Sequence, residues 1–114
     1  MSVAIKALAS NDLITSITDA SPDTVYAATN VTAQVNACSA INTHTSAVVL
    51  SLYIVVFGGT AAAVDPIAVQ TIAPGESAII SDILGHVVPL GGAIFAIADV
   101  ADKVRVSVSG IEIT

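Results

Sequence analysis

The sequence predicts an all-β fold: a single antiparallel β-sandwich, jelly-roll or Ig-like, with about seven to nine short strands and no substantial helix. Three observations predict it. Apolar and polar residues alternate with a period of two along much of the chain. The core must be built mainly from Val, Ile, Leu and Ala, because the only aromatics are Tyr26, Tyr53, Phe57 and Phe95. Val and Ile are stiff at χ1 and suit a pleated sheet better than a helix. Pro, Gly, Asn and Asp interrupt the apolar runs at short intervals, as turns require. At 114 residues the chain is expected to form one domain spanning residues 1–114. Such a chain buries roughly 65% of its unfolded surface, enough for a single core.

Near the start, Val3, Ile5 and Ala7 mark a strand or an extended N-terminal arm over residues 1–10. Residues 24–28 follow the Ser21-Pro22-Asp23 turn as a short strand. Val31, Ala33, Val35, Ala37, Ser39 and Ile41 alternate with Thr32, Gln34, Asn36 and Cys38, which predicts a long strand with the second set outward. Residues 42–46 form a polar turn. Residues 47–57 are apolar on both faces apart from Ser51, so this strand is central or has its outer face against a neighbour. Residues 67–72 and 77–81 flank the turn Ala73-Pro74-Gly75-Glu76, where Pro pre-sets φ at the second position and Gly supplies φ > 0 at the third. Residues 83–88 and 93–98 read as strands separated by Pro89-Leu90-Gly91-Gly92. The last strand turns Val104, Val106 and Val108 inward, and the apolar parity shifts at Ser109-Gly110, which predicts a β-bulge there.

Charge is the most informative feature for function. The chain has three Lys or Arg, nine Asp or Glu, and a net charge of −6. An ordinary domain is about 25% charged, and this one is 11%. Size scaling gives a folded surface of about 5,800 Å², or about 480 Å² for each formal charge. A surface this poor in charge is best explained if other protein covers much of it, which points to an assembly component and away from an enzyme. With only Lys6, Lys103 and Arg105 basic, no nucleic-acid partner is expected. No membrane span is expected either. Residues 47–57 fall short of the roughly 20 that a helix needs, and residues 83–98 contain Pro89 and Gly91-Gly92. Residues 1–10 lack the apolar core of a signal peptide, and Cys38 has no partner for an internal disulfide. Both points favour synthesis in the cytoplasm.

Candidate chemistry is sparse. His44 and His86 lack metal-ligand spacing, so they read as a loop and an edge residue. Cys38 inside a strand reads as a small buried apolar group in preference to a nucleophile. Asp99 and Asp102 bracket Val100-Ala101 in what reads as a solvated turn, with a Ca²⁺ site at an oligomer interface as the alternative. Gly58-Gly59 and Gly91-Gly92 are turn glycines without the context of a phosphate loop. No catalytic residue, cofactor or metal is therefore expected. Strand 47–57 reads first as pure core; the alternative sets its outer face, Val49, Tyr53, Val55 and Phe57, against another subunit as partner contacts. Val3, Ile5 and Lys6 in the N-terminal arm join them, with a frayed tail as the alternative.

Three stretches resemble the small β-sandwich virion proteins of tailed bacteriophages, which include capsid decoration (cement) proteins and related neck or tail accessory subunits. They are Ile5-Lys6-Ala7-Leu8-Ala9-Ser10; then Thr24-Val25-Tyr26 with Asn30-Val31-Thr32-Ala33-Gln34-Val35 and Cys38-Ser39-Ala40-Ile41-Asn42-Thr43; and Ile72-Ala73-Pro74-Gly75-Glu76-Ser77 with the ending Val108-Ser109-Gly110-Ile111-Glu112-Ile113. The chain departs from the pattern at Ala28-Thr29-Asn30 and at Asp99-Val100-Ala101-Asp102. The resemblance implies a homotrimer on the exterior of a virion, made in the host cytoplasm. Its partners would be its own copies and the major capsid protein, which it would bridge without catalysis. A neck or tail ring subunit is the alternative, and a soluble glycan- or receptor-binding β-sandwich module is the alternative of a different class.

Overall fold

The structure, a computed structural model, describes residues 2–114. Nine strands follow one another: β1 (Val3–Ile14), β2 (Asp23–Ala27), β3 (Thr32–Asn42), β4 (Val48–Val55), β5 (Ala68–Ile72), β6 (Ser77–Ile79), β7 (Val87–Val88), β8 (Ala93–Ala98) and β9 (Val104–Ile113). Among the described residues the only helical elements are single 3₁₀ turns at Ala61–Ala63 and Ser81–Ile83. All pairings are antiparallel. One sheet runs β1-β9-β3-β6, with β7 also on β3, and the other runs β2-β8-β4-β5. The two pack face to face as a β-sandwich.

β6 and β7 lie along the same edge of β3 and act as one interrupted strand. Between them Ile80 N–H donates to the Cys38 carbonyl, Gly85 N–H to the Val35 carbonyl, and Val35 N–H to the His86 carbonyl. The chain thus sends strands alternately to the two sheets, with β4 and β5 together in one and β9 between β1 and β3 in the other. That is jelly-roll order, so the Ig-like alternative is set aside. Aliphatic side chains fill the core: Ile14, Leu50, Leu52, Ile94, Val104 and Val106 are among the fully buried. β4 lies between β8 and β5, the central place that its two apolar faces require. Gly75 takes φ 70°, and Glu76 N–H bonds to the Ala73 carbonyl, as expected for that turn.

Three expectations are corrected. Residues 83–88 do not form a full strand, because two tight turns, Leu84 N–H to Ser81 O and His86 N–H to Ile83 O, fold Ile83 into the core and leave only β7. The parity of β9 does not shift: its pairing advances one residue at a time through Ser109 and Gly110. The extra residues sit on its neighbours instead. Leu8 interrupts the β1–β9 register and Asn36 the β3–β9 register, both facing the Val108–Gly110 stretch. Alternation in β3 therefore reverses at Asn36. Ala33 and Val35 point inward, then Cys38, Ala40 and Asn42, while Ala37, Ser39 and Ile41 are exposed.

Candidate interaction surface

The molecule exposes 5723 Å², close to the value that scaling predicts. Large apolar side chains reach it at many points, with Ile5 at 91%, Phe57 at 80% and Ile79 at 72% of full exposure. Because β9 keeps its parity, Ile111 and Ile113 turn outward beside β1. Ile5 pairs with Ile111, which pairs with Gln34, which pairs with Val87; Val3 pairs with Ile113, which pairs with Thr32. Exposed Val3, Ile5 and Val87 and half-buried Ile111 and Ile113 thus share the outer face at one end of the five-stranded sheet. The sequence contains this stripe, but Ile111 and Ile113 read as inward-facing once a bulge is assigned to β9.

The expected contact residues divide. Val3, Ile5 and Lys6 lie in the first half of β1, an ordered strand paired to β9 as far as the mutual bonds of Ser2 and Thr114. Lys6 Nζ stands 3.1 Å from Glu112 Oε1. Of the outer face of β4, Tyr53 is 5% and Val55 3% exposed. β4 packs against the 3₁₀ turn Ala61–Ala63, whose Ala61 is itself buried, so the chain covers much of that face with its own β4–β5 connection. Val49 is half-buried; its N–H donates to Asp99 Oδ1 at 2.8 Å, and its carbonyl accepts from Asp99 N–H at 3.1 Å. Phe57 lies beyond the strand, exposed, beside Gly91.

Polar groups mostly brace the fold. Glu112 keeps the inward parity of β9 and sits at the mouth of the sandwich, accepting hydrogen bonds from Tyr26 Oη of the opposite sheet and from Lys6. Those bonds, from Tyr26 first, hold the Glu112 carboxyl below its usual range. Burial, then the bond to Glu112, pushes the Tyr26 hydroxyl well above its ordinary value. The Asp23 carboxylate accepts from the backbone and hydroxyl groups of both Thr15 and Ser16, pinning the β1–β2 connection. Arg105 donates to the Asn11 carbonyl at 2.9 Å, where β1 carries a second register shift and Asn11 has φ 57°.

Cys38 is buried, and burial pushes its thiol up to about 11. At neutral pH it is a thiol and not a nucleophilic thiolate. His44 lies in the β3–β4 turn and His86 just before β7. Among the described residues no group of three His, Cys, Asp or Glu side chains converges. Asp99 is committed to β4, and Asp102 closes the β8–β9 turn with φ 64°. A shallow groove of about 350 Å³ crosses the outer face where Leu8 and Asn36 are inserted, lined by Ala7, Asn36, Ser39, Leu84, Ser107 and Ser109 among others, none of them charged. No helix of the described residues is long and apolar enough to cross a membrane.

Comparison with protein-family models, curated proteins and solved structures finds no match.

Proposed function

We propose that this protein is a virion structural subunit, a capsid decoration protein that binds the outside of a capsid as a small homo-oligomer and bridges neighbouring major capsid subunits without covalent chemistry. The observation that carries this reading is the outward apolar stripe of Val3, Ile5, Val87, Ile111 and Ile113 on a surface that has only three Lys or Arg and nine Asp or Glu. Exposed apolar area of this kind costs solubility unless a partner covers it. The jelly-roll order supports the same reading, since capsid-forming subunits are among the proteins built on it. On this reading the outer apolar face is where the protein acts.

The test is the native mass of the purified chain, by light scattering behind a sizing column. A defined multiple of 11.4 kDa is expected. A stable monomer at tens of micromolar would overturn the reading, because its bare apolar surface would then need no cover from copies of the chain.

A further inference from the structure

We infer that the free edge of β1 pairs with the same edge of a second copy, antiparallel, about a two-fold axis through Ile5. This specifies the self-association on which the decoration reading rests. It also closes at two chains, in place of the three-fold assembly implied by the resemblance to phage virion proteins.

The backbone sets the register. Ser2 and Thr114 exchange both hydrogen bonds, so Ser2 points its N–H and carbonyl at β9. Along a strand these groups alternate sides. Ala4 and Lys6, paired with Glu112 and Gly110, therefore also face β9, while Val3, Ile5 and Ala7 direct theirs away from the sheet. Among the described residues no strand lies on that side of β1. The free edge ends at Leu8, where the register shifts. Ile5 is thus the midpoint of a short array of open donors and acceptors.

Side chains and charges fit the same register. With the partner's Ile5 opposite Ile5, Val3 meets the partner's Ala7 and Ala4 meets the partner's Lys6, so each larger side chain faces a smaller one or its own copy. Ile5, the most exposed large apolar residue, would be covered. Lys6 bonds to Glu112, so both lie on the same face of the sheet, and Ala4 pairs with Glu112. The partner's Lys6 would then stand one small residue from Glu112, opposite in charge, and the relation repeats across the axis. Long apolar edges are normally blocked by an unpaired charge. Here Lys6 is already neutralised by Glu112. The result is an isologous interface that continues the five-stranded sheet into a second molecule.

The proposal is tested with three variants of the full chain, each first checked for a β-sheet circular dichroism spectrum like that of the wild type and for cooperative unfolding. Ile5→Pro removes an N–H that points away from β9, a position where an edge strand tolerates proline. The wild type should have twice the 11.4 kDa chain mass and Ile5→Pro the chain mass alone. Ile5→Cys should cross-link into a dimer under mild oxidation, since residues opposed in such a pair lie roughly 5.5 Å apart at Cα, within disulfide reach. Val3→Cys should not, because it would sit about 14 Å from its own copy. If Ile5→Pro leaves an oligomer intact, or Val3→Cys cross-links as well as Ile5→Cys, the pairing is wrong while self-assembly stands. If the wild type is a monomer, both fall.

Discussion

Asn42 is fully buried, and its side chain ties two turns together. Nδ2 donates to the Ser46 and Ile72 carbonyls at 3.0 Å each, and Oδ1 accepts from His44 N–H at 2.8 Å. Asn42→Ala would leave those backbone groups unpaired at the end of the core, a loss of about 2–4 kcal/mol. Urea denaturation would show it, and a loss under about 1 kcal/mol would mean that water replaces the amide at little cost. With Glu112, whose carboxyl is also lowered, Asp23 sets the acid limb of stability. Burial pushes its carboxyl up, but hydrogen bonds from Thr15 and Ser16 outweigh that and hold it below its ordinary value. A carboxyl lowered in the folded state stabilises the fold above its unfolded pKa, near 3.9. That contribution is lost as pH falls through the folded value. The urea midpoint should hold between pH 7 and about pH 5 and drop below about pH 4. In Asp23→Asn the drop should shrink, and an equal drop in both proteins would assign the acid limb to other groups.

At the scale of the element, the inserted residues decide which side chains reach solvent. β9 runs without an insertion, whereas β1 inserts Leu8 and a further residue between Ala9 and Asp12, and β3 inserts Asn36. Gly110 makes this possible, because a Cβ there would collide with the Gln34 carbonyl of β3. Gly110→Ala should therefore force β3 away from β9 and cost about 1–3 kcal/mol. Thermal unfolding by circular dichroism would measure it, and an unchanged midpoint would show that the ladder has slack. This region also marks the limit of what the sequence reveals. Apart from the stretch 83–88, the strands, the Pro-Gly turn and the central place of β4 were legible, because period-two alternation and turn chemistry are local signals. The direction of Cys38 and Ile111 was not. A residue inserted at Asn36 leaves no mark in a polarity pattern, and the parity change near Gly110 fits a bulge on any of three adjacent strands. Nor was the burial of Tyr53 legible, since it depends on parts of the chain brought over the outer face of β4 only by the fold.

For the whole molecule, the scarcity of charge read from composition is matched by where the charges go. Lys6 and Arg105 are spent inside the chain, on Glu112 and on the Asn11 carbonyl, and Asp23 and Asp99 accept from backbone N–H groups. What remains outside is sparse in charge, mostly acidic, and rich in aliphatic surface, so association should respond weakly to ionic strength. Light scattering at 0.05 M and 1 M NaCl should give the same mass, and dissociation in high salt would assign the interface to ion pairs.

The place of β9 between β1 and β3 has a consequence for how the protein is made. On the ribosome β1 and β3 emerge early, yet neither has its main partner until the ninth strand is translated. In the other sheet β2 likewise waits for β8, whereas β4 and β5 pair directly with each other. Until β8 and β9 are made, only the β4–β5 hairpin and the β6 and β7 edge of β3 can pair, and the other aliphatic strands are exposed to chaperones and to neighbouring chains. The five-stranded sheet closes only once residues 104–113 are free to pair with both β1 and β3.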